Sequence, residues 1–424
     1  MTESDNSAPV SPSPTPLRIS GERLMSRLNA LAEVGAIEGD GCSRLAFTAE
    51  DGRGRDLVVT WMHDLGLEVM IDGIGNTVAI RAGAEPGPPV MCGSHIDTVA
   101  TGGRFDGNLG VLAGLEVMET LDAAGVETTR PLAVAFFSNE EGARFPPDMM
   151  GSLVYVGGMG LEEALDTVGI DGTTVAEDLE AIGYRGSLPS PGPVPHAYVE
   201  LHIEQGPVLD AEGETSGVVE GVQGISWTEV TIEGQSNHAG TTPMSMRHDA
   251  GLAAALVAAG VREIATSMGG DQVGTCGMID LHPNLVNVIA QRAVMTVDLR
   301  NTDETALRAA ETSLGELLDQ VATEEGVAIS TRRLARFEPV VFAPDVVDLV
   351  ERQAQGLGLT TRRMPSGAGH DAQMLARLCP TGMVFVPSVA GISHNPAEFT
   401  SESDLEAGAN VLLNTMVALA GRVS

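Results

Sequence analysis

Hydrophobic positions in this chain change period several times, and the changes mark out its elements. "PLAVAFFS", Pro131 to Ser138, is an unbroken apolar run, the pattern of a strand buried on both faces. "PPVMCGSHIDTV" is a similar strand that runs straight into polar residues. After it, Leu109, Leu112, Leu115 and Met118 recur at every third position and predict a helix opening near Asp106 and Gly107. "RDLVVTWMHDLG" has helical spacing and closes on Gly66, and "LEVMIDGIGNTVAIRAG" predicts two short strands around a Gly-Asn turn. In "AYVELHIEQG" the apolar Ala197, Val199, Leu201 and Ile203 alternate with Glu200, His202 and Glu204, and "MVFVPS" is one more short buried strand. Strands alternating with helices predict an α/β sheet with helices on both sides.

The middle of the chain follows another order. Strands over 225–234, 273–281, 287–300 and 327–333 and helices over 249–268 and 303–325 give βαββαβ, the split-βαβ order of a ferredoxin-like domain. In the second helix Leu307, Ala310, Leu314, Leu317 and Val321 form one face, after a cap at Thr302 and Asp303. A small domain, 223–336, is thus inserted into a larger one formed by 17–222 and 337–424. Residues 1–16, "MTESDNSAPVSPSPTP", read as a disordered tail.

Composition narrows the partners. The 424 residues are long enough for two domains, and 43% hydrophobic content argues against general disorder. With 58 acidic against 24 basic residues the net charge is −34, which disfavours nucleic acid and anionic membranes. Every cation is arginine; without lysine, Schiff-base and P-loop chemistry are excluded. No uninterrupted membrane-length apolar stretch and no secretory signal are visible, so a cytoplasmic location is expected. Cys42, Cys92, Cys276 and Cys379 lie far apart without a CxxC pair, which suits buried, reduced thiols.

In an open α/β sheet, chemistry collects at the carboxyl ends of the strands. "CGSHIDT" brings His95 and Asp97 there, "FFSNEEG" brings Asn139, Glu140 and Glu141, and "ELHIEQG" brings His202. Loops add Asp106 from "GGRFDGNLG" and His394 from "GISHNPAEF". Taken singly, a histidine at a strand end is more often hydrogen-bonded structure than ligand, and the paired glutamates read equally as a solvated turn. Together, imidazoles and carboxylates are the ligand set for a pair of divalent ions, with Asp106 able to bridge them through two oxygens. Adjacent Glu140 and Glu141 then divide the work, one binding metal and the other accepting a proton from water.

"GSHIDTV", "GGRFDGNLG", "SNEEGARF", "LHIEQGPVL", "GQSNHAGTTPM", "SGAGHDAQ" and "GISHNPAE" occur in the order of a known family. From about Leu17 to Arg422 the chain resembles the carbamoylase and allantoate amidohydrolase branch of the dinuclear-zinc aminoacylase and carboxypeptidase-like peptidases. The resemblance implies a mixed-sheet metallohydrolase domain with a ferredoxin-like lid and dimerisation domain. It implies His95 and His202 on one metal, Glu141 and His394 on the other, and Asp106 between them, the metals being zinc or else manganese, cobalt or nickel. Glu140 would be the general base, with Asp97 orienting His95. Gln205, His238, Asn287, Arg300 and His370 would bind substrate, with His238 reaching the active site of the partner subunit in a homodimer. On residue type alone, Arg300 is equally a surface salt bridge, and Asn287 equally a turn residue.

The activity these resemblances imply is hydrolysis of the linear ureido amide of N-carbamoyl-L-amino acids to the L-amino acid, carbon dioxide and ammonia. Alternatives are allantoate amidohydrolase, β-ureidopropionase and a metal-free binding protein on the same fold. His63, His196, His248 and His282 are assigned to structure or surface, and Met149 and Met150 to packing.

Overall fold

The computed structural model describes residues 17–423; the tail expected at 1–16 lies outside them. The elements used below, in chain order, are α1 (Gly21–Ala32), α2 (Ala49–Asp64), β1 (Glu68–Ile71), β2 (Thr77–Arg81), β3 (Val90–His95), α3 (Asn108–Ala123), β4 (Leu132–Phe137) and β5 (Ala197–Ile203). They continue with β6 (Gly224–Glu233), α4 (Ala250–Met268), β7 (Val273–Thr275), β8 (Ile279–His282), β9 (Arg292–Asn301), α5 (Glu304–Glu325), β10 (Ala328–Phe337), β11 (Thr381–Val386) and α6 (Glu402–Ala420).

The chain divides into two compact units. Among the described residues, one holds 17–218, Asp345–Arg362 and 378–423; the other holds Val219–Pro344 and Arg363–Arg377. The sequence boundaries of 223–336 differ from this chiefly by the second segment, which carries His370.

In the first unit six strands run in the order β11-β5-β3-β4-β2-β1. The four from β11 to β4 are parallel, and β2 and β1 are antiparallel additions, so the sheet is mixed. Every residue of β3, β4, β5 and β11 is buried. The reason is visible on β4. Val134 lies against Gly114 of α3 on one face, and Phe137 turns to the other, onto Tyr155 and Tyr198 at centroid distances of 5.5 and 6.2 Å. A run covered on both sides cannot alternate. In β5 the alternation does not mark a wet face, because Glu200 and His202 are buried too.

Helix α3 is buried nearly throughout and packs on β3, β4 and β5, flanked by α1 and α6. Its fully buried Glu116 is paired with Arg23 and Arg27 of α1, which gives that charge partners in a low-dielectric position. Because β11, β5, β3 and β4 are parallel, their carboxyl ends open on one edge. The ends carry His202, His95 and the Glu140 turn, and the loop after β11 carries His394.

The second unit's sheet runs β7-β9-β6-β10, with β8 also on β9 and every pairing antiparallel. Helices α4 and α5 close one face over Val230, Ile232, Met295, Val297 and Leu299. The expected strand 273–281 is two pieces. Thr275 faces Asp298 but Ile279 faces Met295, so three residues stand opposite two and the edge bulges at 276–278. Strand β9 starts at Arg292, not 287. On α5 Leu318 is buried together with the expected Leu307, Ala310, Leu314 and Val321, while Leu317 is only partly buried beside the core cluster.

Candidate metal centre

Strand β3 delivers His95 and β5 delivers His202, and the two buried rings lie 5.9 Å apart, centroid to centroid. Each ring is held from behind by a main-chain carbonyl: His95 Nδ1 donates to Asp97 O at 2.9 Å and His202 Nδ1 to Ile203 O at 2.8 Å. A carbonyl only accepts, so the proton sits on Nδ1 and Nε2 is turned inward. Inward lies Asp106, whose Oδ1 is 3.1 Å from His202 Nε2 and 3.6 Å from His95 Nε2. Its other oxygen, Oδ2, is 3.5 Å from His394 Nε2, which is itself 3.3 Å from Glu141 Oε2.

Two ligand groups share Asp106, namely His95–Asp106–His202 and Asp106–Glu141–His394. These are the five residues that the family resemblance implies as ligands, and the structure brings them together. Here the carboxylate's two oxygens are shared out between the groups.

Glu140 belongs to neither group, and its Oε2 stands 3.4 Å from His95 Nε2. The turn that presents it begins at Asn139, at φ 54°, a left-handed conformation costing about 1–2 kcal/mol for a residue with a Cβ. Asn139 fastens the turn by donating from Nδ2 to Phe145 O at 2.7 Å. Both following amides then point at Asp97, which accepts from Glu140 N and Glu141 N at 3.3 Å each. Asp97 therefore orients His95 through its carbonyl, while its carboxylate anchors the glutamate pair. Gln205 and His394 share the left-handed conformation, at φ 59° and 53°, and such residues cluster where function fixes the backbone.

The electrostatics of this cluster call for positive charge. Burial opposes a charged His95, yet Glu140 and Asp106 beside it raise its pKa well above the ordinary value. Burial likewise opposes ionised Asp106, but hydrogen bonds from His202 and His95 hold its carboxyl well below the usual range. Glu141 is pushed far up, first by burial and then by the charge of Asp106. Asp97 is raised mainly by burial. Four acids with inward-facing ring nitrogens in low dielectric require protons or cations between them, and neutral Nε2 with carboxylate oxygen suits divalent metals.

Two contributors escaped the sequence reading although they lie in a quoted motif. Glu398 is buried and accepts from Phe105 N and Asp106 N at 3.1 and 3.2 Å. Burial, then the charge of Asp106, pushes its pKa up to about 7. Ser393 Oγ lies 3.2 Å from both Asp106 Oδ2 and Glu398 Oε2. The expected substrate residue Gln205 is also here: Nε2 donates to Asp106 Oδ2 at 2.8 Å, and its buried Oε1 has no hydrogen-bond partner among the described residues.

The other expected substrate residues belong to the second unit. His238 Nδ1 accepts from Gly240 N at 3.0 Å, which leaves the proton of the neutral ring on Nε2. Its loop bridges to Val288, and Ala239 N donates to Asn287 O at 3.0 Å, so His238 and exposed Asn287 sit on paired loops. Arg300 donates from Nε and Nη2 to Asp298 Oδ2 at 3.0 and 2.9 Å and from Nη1 to Gly367 O at 2.6 Å, realising the salt-bridge alternative. His370 is buried with Nε2 2.8 Å from Ser366 Oγ.

With this geometry in view, comparison with known proteins is decisive. The model of peptidase family M20/M25/M40 matches residues 91–418. The chain belongs to that family. Its M20 relatives include an N-carbamoyl-L-amino acid amidohydrolase of Geobacillus stearothermophilus, 41% identical over 95% of this chain and 99% of the relative. An allantoate amidohydrolase of Escherichia coli is 35% identical over 92% and 96%. A crystal structure of a hydantoinase/carbamoylase family amidase from Burkholderia multivorans superimposes with a TM-score of 0.91 at 44% identity, covering 95% of this chain and 98% of that one. This M20 chain is accordingly a hydrolase acting on amide bonds.

Proposed function

We propose that the chain hydrolyses the linear ureido amide of N-carbamoyl-L-amino acids, giving the L-amino acid, carbon dioxide and ammonia. One observation carries the reading: three imidazoles and two carboxylates converge with Asp106 at their centre, and Glu140 stands beside them outside both ligand groups. Full-length likeness to the Geobacillus stearothermophilus relative supplies the substrate class.

His95, Asp106 and His202 would hold one divalent ion and Asp106, Glu141 and His394 a second, zinc or else manganese, cobalt or nickel. When bound, such ions supply Lewis acidity toward a carbonyl and make water more acidic. Glu140 accepts the proton of the attacking water and delivers it to the leaving nitrogen. Asp97 fixes that base through the amides of residues 140 and 141. The orphan Oε1 of Gln205 is an acceptor for a carbamoyl N–H, which would satisfy a buried group that lacks a partner. His238 offers Nε2–H to oxygen as negative charge develops there. Arg300 clamps the substrate carboxylate in exchange for Asp298, and Asn287 and His370 complete the binding set.

We further propose that residues 223–336 act as lid and dimerisation domain. Leu252 and Leu256 lie exposed on α4 and give an apolar face for a second copy. Cys42, Cys92, Cys276 and Cys379 are all thiols outside any disulfide, which fits a cytoplasmic protein.

The test is ammonia release from N-carbamoyl-L-amino acids, N-carbamoyl-β-alanine and allantoate, with manganese or zinc supplied. Turnover of allantoate alone would move the assignment to allantoate amidohydrolase. No ammonia from any member would favour a binding protein.

A further inference from the structure

Glu398 lies four residues beyond His394, and its side chain folds back across the intervening turn. That turn is closed by Glu398 N donating to Asn395 O and by Ala397 N donating to the Asn395 side chain, both at 2.9 Å. One oxygen, Oε1, accepts from the two consecutive amides of Phe105 and Asp106. The other, Oε2, accepts from Ser393, whose hydroxyl also faces Oδ2 of Asp106 at 3.2 Å. The approach is possible only because residue 103 is glycine: a Cβ there would collide with Oε1 and the carboxyl carbon of Glu398.

We propose that Glu398 is a positioning residue that ties the Asp106 loop to the His394 loop and sets the geometry of the Asp106–Glu141–His394 group in particular. Selectivity follows from which oxygen is held. Ser393 reaches Oδ2, the oxygen on the His394 side, whereas Oδ1 faces His202 and His95, whose rings are fixed independently by the carbonyls of Ile203 and Asp97. Loss of Glu398 frees the His394 side and leaves the other group its own supports.

The inference rests on the two-ion reading above and is tested separately from it. Metal-stripped wild type, Glu398→Ala, Glu398→Gln and Ser393→Ala are titrated with Zn²⁺ and with Mn²⁺ by calorimetry, with bound metal counted after dialysis. Removing such an outer hydrogen-bonding partner typically costs about 10–100-fold in metal affinity. Glu398→Ala is expected to weaken one of two ions by at least about 10-fold and the other by less than about 3-fold. Glu398→Gln keeps an oxygen for both amides and turns an N–H to Ser393, so it should bind within about 3-fold of wild type. Ser393→Ala, which leaves the amide contacts intact, should show a milder loss at the same ion. Equal loss of both ions in Glu398→Ala, no loss, or a Gln variant as weak as the Ala variant would overturn the proposal. If wild type itself binds no ion, the two-ion reading fails instead.

Discussion

Gly107 lies between Asp106 and the first turn of α3, and the cost of giving it a side chain follows from the structure. Its backbone sits at φ 65° and ψ −49°, and a Cβ there would lie 2.5 Å from Nδ1 of His95 and closer still to Nε2 and Cε1. Gly107→Ala therefore meets two costs. A positive φ with a Cβ costs about 1–2 kcal/mol, and forcing a methyl into a packed site costs about 1–3 kcal/mol. The control is Gly125→Ala, beyond the other end of α3. It has φ 62° with nothing within 4 Å of the added Cβ, so it bears the backbone cost alone. Urea denaturation of the metal-stripped protein should place Gly107→Ala about 1–3 kcal/mol below Gly125→Ala. The comparison is made on the transition of the first unit, because two units can unfold separately. His95 cannot keep its ring in place against the new methyl, so Gly107→Ala should also lose metal affinity by about 10-fold or more, while Gly125→Ala binds as wild type. Equal urea midpoints, with wild-type metal content in both variants, would refute the argument from the His95 contact.

Three more expectations follow from the site and its surroundings. Glu140→Gln keeps shape but removes the proposed proton acceptor, and because Glu140 is in neither ligand group it should lower kcat by about 10²–10⁴-fold without changing bound metal, read by ammonia release and metal analysis. Chelation should abolish turnover and lower the urea midpoint; restoring metal at about 100 times its Kd should return about 2.7 kcal/mol per ion. Asp72, buried among the amides of Ile74 and Asn76, has its carboxyl pushed up to about 6, chiefly by burial. Between pH 3.8 and 6 the folded chain keeps a proton that the unfolded chain releases, so this contribution to stability is present at low pH and lost as pH rises to 6. Asp72→Asn should flatten the pH dependence across that window in denaturation midpoints.

What the sequence reveals is local period and strand ends. The run Leu132–Phe137 announces a doubly covered strand, and the motifs at His95, Glu140 and His202 fall where parallel strands stop, so candidate ligands could be listed, while the choice of Glu141 over Glu140 came only from the family resemblance. What it hides depends on neighbours across space. The bulge at 276–278 arises from register against β9; Gly277 within it is a bulge signal that the strand reading of 273–281 passed over. Leu317 and Leu318 are both apolar, and only packing decides that Leu318 is the buried one. Asp97 looks like a partner for His95, and its main chain is; that its carboxylate serves Glu140 and Glu141 needs the turn at Asn139. Glu398 stands in plain view in "GISHNPAEF", yet its value lies in amides almost three hundred positions earlier. Arg300 reads in sequence equally as a substrate clamp and as a salt bridge, and the structure shows its strand neighbour Asp298 occupying two of its donors.

The five proposed ligands come from separate stretches of polypeptide, His95 and His394 being about 300 positions apart, and closing so large a span is entropically costly. Such long-range encounters form slowly and together. A cation therefore has no site to recognise in the nascent or denatured chain and cannot act as a template for the fold. It can only lock a scaffold already assembled, so metal added at the start of refolding should leave the rate unchanged and appear solely in slower unfolding.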